Sequence, residues 1–232
     1  MKYPLTTSTV ISSNVKQLIS ALCICFLVAT MNANAAPESQ DAKQNDAGLA
    51  SIENTGFDTF LVADGFKLPA SRKIYVSFEP VSFSEDWLGR FPNTNTYQKR
   101  ISRDYGNGLK NKLQETLTDA GWQVVDTPGS DTVQLSVRLF NLFITAPDSP
   151  ANQDTLVANV GSAAIELIFK TPDGQPVLKI VDKRITPNDR PVWAGRAVNY
   201  RYFKQLITLW SEGAVYFFDK ILSIANNSKQ EA

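Results

Sequence analysis

The chain has 232 residues and a mass of 25.6 kDa, with 23 Lys and Arg against 23 Asp and Glu, and 43% of its residues are hydrophobic. This balance excludes a disordered acidic chain and a polybasic nucleic-acid binder, so we expect a globular protein with no nucleic-acid partner. The sequence contains no His, which excludes a Ser-His-Asp triad, a Cys-His pair, His-ligated zinc and His-ligated haem, because each of these needs an imidazole.

The amino-terminal residues have the pattern of a secretory signal peptide. Two lysines accompany a largely apolar run, residues 18–31, and Ala33 and Ala35 place small residues at the cleavage positions. As a helix the run would span about 21 Å, short of the roughly 30 Å hydrocarbon core, which favours cleavage over retention as a membrane anchor. We therefore predict a signal peptide over residues 1–35, secretion across the inner membrane and no transmembrane span in the mature chain.

Both cysteines, Cys23 and Cys25, lie in the apolar run and leave with the signal peptide. The mature chain then has no thiol for a disulfide, a metal thiolate or a nucleophile. Cys23 follows Leu22 and Cys25 follows Ile24, whereas a lipoprotein signal places its cysteine after small residues, so we do not expect a lipid anchor. The predicted location is the periplasm, and association with the outer membrane is left open.

The segment after the signal peptide is polar and acidic. Residues 37–64 contain six acids and one lysine, and residues 36–48 contain no aromatic side chain. These features are typical of a solvated linker that has too little apolar surface to fold alone. We therefore predict a disordered acidic linker over residues 36–55, a single domain over residues 56–226 and a frayed tail over residues 227–232.

Periodicity predicts seven elements in the domain. Apolar and polar residues alternate over 73–79, which indicates a strand, and apolar residues recur every four positions over 97–117, which indicates an amphipathic helix. Four further strands are predicted over residues 122–126, 132–145, 157–170 and 177–185. Helical spacing returns over residues 200–225.

The order of these elements is strand, helix, four strands, helix. The sequence Thr-Pro-Asp-Gly-Gln at residues 171–175 favours a tight turn that joins the last two strands as a hairpin. We predict an α+β fold, in which two main helices pack on one face of a mostly antiparallel sheet of about five strands.

Several segments match a known pattern. They are YVSFEPVSF at 75–83 with Trp87 after it, VVD at 124–126, LFITAPD at 142–148, residues 161–167, the Asp173-Gly174 hairpin, DKR at 182–184 and Trp210. On these segments the chain resembles a bacterial family of secreted cell-envelope proteins, many of them lipoproteins, known as domain-of-unknown-function family 3313. The resemblance covers most of residues 57–222 and implies an envelope location and an α+β fold, with no activity.

The chain differs from that family at two places. The lipid-bearing cysteine that is common in relatives is missing, which agrees with the expected lack of a lipid anchor. The hairpin also reads Lys170-Thr171-Pro172 before Asp173-Gly174, where relatives tend to have Asp and Ser-Thr before the glycine.

A basic segment with aromatic side chains is the main candidate binding site. Residues 183–204 contain six cations and one acid, Asp189. Arginine pairs with carboxylate or phosphate and stacks on aromatic rings, so an envelope protein with an acidic face, an anionic lipid or a glycan would match this chemistry. The residues predicted to bind the partner are Arg184, Arg190, Trp193, Arg196 and Arg201. The alternative is a solvated loop neutralised by the acidic amino-terminal segment.

Two other groups of residues are weaker candidates. Phe83, Trp87, Leu88 and Phe91 form an aromatic and apolar cluster, for which a small core under a loop is favoured over a membrane interface. Glu166 lies on a predicted strand, and its spacing to other acids identifies no second carboxylate for glycosidase chemistry. We read it as an acid on the solvent face of the sheet.

These observations predict a non-enzymatic envelope protein that binds another envelope component, with no cofactor, no metal and no catalytic residue. One alternative is a hydrolase that uses carboxylates on cell-wall glycan, for which a cleft with two carboxylates and no basic partner would be the sign. Another is a carrier of a small apolar ligand, since 13 Phe and 4 Trp could line a pocket.

Overall fold

A computed structural model describes five ranges of the chain: residues 48–66, 68–91, 95–145, 155–186 and 190–227. The predicted signal peptide and most of the predicted linker lie outside these ranges, as does the tail from residue 228. All described residues belong to one compact unit, residues 46–232.

The described residues form nine strands and three helices. In chain order these are β1 (Leu49–Ser51), β2 (Thr59–Ala63), β3 (Lys73–Phe78), α1 (Glu85–Arg90), α2 (Asn95–Asp119), β4 (Gln123–Val125), β5 (Thr132–Ile144), β6 (Thr155–Val157), β7 (Gly161–Lys170), β8 (Pro176–Ile185), β9 (Val192–Ala194) and α3 (Arg196–Asn227). Each of the predicted elements matches an observed one, with the largest differences at the starts of β7 and α3.

Seven strands form one mixed sheet in the order β1-β2-β8-β7-β5-β3-β4. The pairs from β1 to β5 along this order are antiparallel. Strand β3 is parallel to both of its neighbours, β5 and β4, because α2 carries the chain back to the starting end of β3 before β4 begins. Strands β6 and β9 form a separate antiparallel sheet of two strands.

The predicted counts of about five strands and two main helices are wrong, whereas the sheet is mostly antiparallel as predicted, with two parallel pairs. The fold is α+β, but it has three helices and a mixed sheet of seven strands among the described residues. The added elements are β1, β2, α1 and the small β6–β9 sheet. Strand β1 begins at Leu49, inside the segment predicted as linker.

Short length explains most of the missed elements. Strands β1, β6 and β9 have three residues each, too few to show an alternation. The predicted strand 157–170 is interrupted at residues 158–160. Strand β7 begins after this break at Gly161, whose φ is 154° and whose missing side chain lets the Phe143 carbonyl approach. The parallel direction of β3 was also not predictable from its alternation, because parallel and antiparallel strands share the same side-chain alternation.

Helices α2 and α3 contact each other and cover one face of the sheet. The predicted spacing of α2 is confirmed, since its buried residues recur every four positions: Ile101, Tyr105, Leu109, Leu113 and Leu117. Gly108 permits a close approach, because a Cβ there would lie 3.3 Å from the Tyr200 hydroxyl on α3. From α3, the Phe218 ring stacks on Phe169 of β7 with centroids 4.0 Å apart.

The aromatic cluster around Trp87 belongs to the main core rather than to a separate small core. Ser84 caps α1 by accepting a hydrogen bond from the Trp87 backbone N–H, and the Trp87 side chain is 0% exposed. Its indole Nε1 donates to the Ile144 carbonyl at 3.1 Å, and its ring stacks on Phe83 with centroids 4.6 Å apart. This packing connects α1 to the end of β5.

Of the helices within the described ranges, none is both long enough and apolar enough to cross a bilayer.

Candidate functional site

The small β6–β9 sheet has one buried and one outward face. Its register pairs Thr155 with Ala194, Leu156 with Trp193, and Val157 with Val192. In an antiparallel pair, directly opposed residues point to the same side and successive residues alternate. The valines and Ala194 therefore face inward, where Val157 and Ala194 form a small cluster and Val192 also packs on the main core.

The outward face presents the two largest side chains of the small sheet. Leu156 is 53% exposed and Trp193 is 61% exposed. Removing large apolar side chains from water is favourable, so a partner that covered these two adjacent side chains would be stabilised by their burial. We use the name Trp193 surface for the cross-strand pair of Leu156 and Trp193 together with the exposed arginines that precede and follow β9 in the chain, Arg190, Arg196 and Arg201.

Cations precede and follow Trp193 in the chain, and residues 190–204 contain four cations and no acid. Arg190 is exposed two residues before β9. Arg196 is the first residue of α3 and its side chain is 63% exposed. Arg201 is exposed five residues further along α3, about 8 Å along the helix axis and about 140° around it from Arg196, with its guanidinium 5.6 Å from the Tyr202 ring centroid.

Helix α2 supplies one acid next to this region. Arg196 Nη2 lies 3.5 Å from Asp104 Oδ2, and Arg103 Nη2 lies 3.0 Å from the other oxygen of the same carboxylate. The guanidinium groups of Arg103 and Arg196 thus share the single negative charge of Asp104, which neutralises the charge of Arg196 only in part. Tyr200 holds α3 against α2, since its ring stacks on Tyr105 with centroids 5.9 Å apart.

Arg184 is not part of the Trp193 surface: its guanidinium contacts the fold, and its predicted role in partner binding stays a prediction. Its Nε lies 2.6 Å from Oδ2 of Asp182, which is 1% exposed. Its Nη2 donates to the Gly56 carbonyl. Trp210 Nε1 donates to the same Asp182 oxygen at 2.7 Å, so Arg184 helps to satisfy a buried carboxylate.

The Asp182 cluster connects β2, β8 and α3. It consists of Asp182, Arg184, Trp210 and Asp58. The Asp58 backbone N–H donates to Asp182 Oδ1 at 3.2 Å, and the Lys183 N–H donates to Asp58 Oδ2 at 2.7 Å. These bonds attach the start of β2 and helix α3 to β8. The DKR sequence at 182–184 therefore has a structural role.

Four of the five residues of the Trp193 surface are among the predicted binding residues, whereas Leu156 is not. The missed residue precedes the predicted strand 157–170, and a single leucine gives no periodic signal. Its importance comes only from its cross-strand position opposite Trp193.

Glu166 lies in a row of alternating charges on the sheet face opposite the helices. Glu166 is the cross-strand neighbour of Arg138, and its Oε2 lies 3.7 Å from Lys179 Nζ. Arg138 Nε lies 3.7 Å from Glu79 Oε2. The Glu166 side chain is 14% exposed, so its predicted position on an open solvent face is wrong.

Three features of the described residues bear on the hydrolase and carrier alternatives. Both carboxylates in the charge row have a basic neighbour, unlike an acid–base pair. The described residues contain no group of three or more metal-ligating side chains. An open depression is lined by Leu68, Pro69, Ser130, Pro172 and Asp173, with no aromatic ring among them.

Comparison with known proteins gives only weak likenesses. No protein-family model matches the chain, and no curated protein matches it. A PelC dodecamer from Paraburkholderia phytofirmans aligns at 11% identity and a TM-score of 0.34, covering 67% of this chain and 95% of that one. A minor lipoprotein from Acinetobacter baumannii aligns at 10% identity and a TM-score of 0.33, covering 68% of this chain and 94% of that one.

A third structure is a protein from Helicobacter pylori named as a neuraminyllactose-binding hemagglutinin homologue. It aligns at 11% identity and a TM-score of 0.32, covering 72% of this chain and 93% of that one. The distant structural neighbours thus include a lipoprotein and a protein named for binding. TM-scores this low do not establish a shared fold.

Proposed function

We propose that the protein is a secreted, non-enzymatic component of the cell envelope that binds another envelope component through the Trp193 surface. The observation that carries the proposal is the outward pair of Leu156 and Trp193, which are 53% and 61% exposed and lie opposite each other on a sheet whose other face carries the buried Val157 and Ala194. The signal-peptide pattern and the resemblance to family 3313 support the envelope location.

The small sheet holds this pair in place before any partner arrives. Cross-strand hydrogen bonding sets the register, and Val157, Val192 and Ala194 attach the inner face to the domain. A site on ordered strands loses little conformational entropy on binding, and a tryptophan contributes a large contact area with few rotatable bonds. Aromatic residues and arginine are also the types that are enriched in binding sites.

The test is site-specific photo-crosslinking in living cells. A photoreactive phenylalanine derivative replaces Trp193 in one strain and Tyr216 in the control strain. Tyr216 is a close match, since it is 62% exposed, and it lies on α3 about 30 Å along the axis from Arg196. We expect an adduct with an envelope protein, lipid or glycan from position 193 and none from position 216.

Equal adducts from both positions, or no adduct from position 193, would contradict the proposal. A parallel measurement follows release of soluble fragments from purified cell wall incubated with the mature protein. Release that depends on Glu166 would favour the hydrolase instead.

A further inference from the structure

From the chemistry of the Trp193 surface we infer that its partner is an anionic phospholipid surface, with Trp193 and Leu156 entering the headgroup region and the arginines meeting phosphates. This inference rests on the proposed function and names the class of partner. The apolar pair supports insertion into a membrane interface, and the arginines support a preference for anionic lipid.

The apolar part has the composition of a membrane-interface anchor. Tryptophan is enriched where hydrocarbon meets water, because its ring is apolar and its indole N–H needs a polar partner. Leu156 lies beside it on the same face and adds apolar surface without a polar atom. A pair of this size suits shallow insertion and not the filling of a deep pocket.

The charged part favours an anionic surface over a neutral one. Arg190, Arg196 and Arg201 are exposed, and Asp104 is shared between Arg196 and Arg103. Guanidinium binds phosphate in a bidentate manner. Each basic residue close to an anionic leaflet strengthens binding by about fivefold.

The placement of the tryptophans provides a direct optical test. The chain has 4 Trp, and the other three, Trp87, Trp122 and Trp210, are 0%, 4% and 0% exposed. A change in tryptophan emission on binding should therefore report Trp193. A Trp193→Phe variant identifies the signal, because it removes this indole and keeps an aromatic ring.

The experiment uses the mature chain and vesicles that contain brominated phosphatidylglycerol or brominated phosphatidylcholine. Bromine quenches an indole only at contact distance. At low salt we expect quenching of the Trp193 emission and flotation with the phosphatidylglycerol vesicles, weak binding to phosphatidylcholine, and weaker binding to both as salt is raised. Trp193→Phe should lose the quenching signal.

Two series of variants assign the binding to this surface. Trp193→Ala should weaken vesicle binding about tenfold, whereas Tyr216→Ala should leave it unchanged. Changing Arg190, Arg196 and Arg201 together to Gln should weaken binding about a hundredfold, whereas Lys220→Gln, at the far end of α3, should have no effect. Circular dichroism and thermal unfolding confirm that each variant is folded.

Equal affinity for anionic and zwitterionic vesicles, or binding without Trp193 quenching, would overturn the lipid inference. If vesicles fail to bind while position 193 still crosslinks to a protein or glycan in cells, the inference falls and the proposed function stands. If position 193 also gives no adduct, both fall. Vesicle binding gained only after neutralising Glu38, Asp41 and Asp46 would identify the acidic amino-terminal segment as the occupant and overturn the inference.

Discussion

The Asp182 cluster and the Trp193 surface use the same residue types for opposite purposes. In the cluster, Trp210 is 0% exposed and its indole donates to Asp182 at 2.7 Å. On the surface, Trp193 is 61% exposed. Arg184 lies against a buried carboxylate at 2.6 Å, whereas Arg196 lies 3.5 Å from a carboxylate that a second arginine also contacts.

The difference lies in what surrounds each side chain. A buried polar group must be satisfied by its neighbours, because water is absent, and the loss of one partner leaves the other unpaired. An exposed side chain can exchange its protein contacts for water at little cost. We therefore expect changes in the Asp182 cluster to alter stability, and changes on the Trp193 surface to alter binding.

The largest effect is expected for Asp182→Ala. This change leaves the Trp210 N–H and the Arg184 guanidinium without their acceptor at the β8–α3 contact. We expect a loss of about 3–5 kcal/mol in the free energy of unfolding, as for a broken buried ion pair. Urea unfolding of the mature protein measures it, and Asp104→Ala, at an exposed ion pair, is the control, with a change below about 1 kcal/mol.

The second prediction compares the two tryptophans by the same substitution. Trp210→Phe removes the indole donor to Asp182 and should cost about 1–3 kcal/mol, whereas Trp193→Phe should change stability by less than about 0.5 kcal/mol. Thermal and urea unfolding give both values. Equal losses at the two positions would mean that the exposed tryptophan also supports the fold.

The third prediction compares two arginines. Arg184→Gln should destabilise the protein by about 1–2 kcal/mol, because Asp182 loses a charged donor but keeps two others. Arg196→Gln should change stability by less than about 0.5 kcal/mol and weaken binding to phosphatidylglycerol vesicles about fivefold. The comparison fails if Arg184→Gln weakens vesicle binding as much as Arg196→Gln does.

The smallest effect concerns an exposed ion pair at the sheet margin. The Lys73 ammonium donates to Asp131 at 2.8 Å and lowers the pKa of that carboxyl. The pKa of Asp131 is therefore lower in the folded protein than in the unfolded chain. The ion pair stabilises the fold at pH values above the unfolded pKa, and this stabilisation is lost as the pH falls through the folded pKa. Lys73→Gln should raise the pKa of Asp131 toward its ordinary value in an NMR titration. No rise would mean that the contact is absent in solution.

Much of the main sheet could be predicted from the sequence. Strands β3, β5 and β8 and helix α2 have enough residues for the alternation or the helical period to be visible. Strands β6 and β9 have three residues each, and their pairing joins segments that are far apart in the chain. For this reason the candidate site was predicted in part, with its arginines and Trp193 but without Leu156.

The sequence by itself determined the signal-peptide pattern, the absence of imidazole chemistry, the α+β class and the basic, aromatic character of residues 183–204, because these depend on composition and local spacing. Only the tertiary structure decided which of those residues contact the fold and which are exposed. Arg184 forms an ion pair with the buried carboxylate of Asp182, and the strand register places Leu156 opposite Trp193. Burial and register are set by packing between distant segments, which a local pattern does not contain.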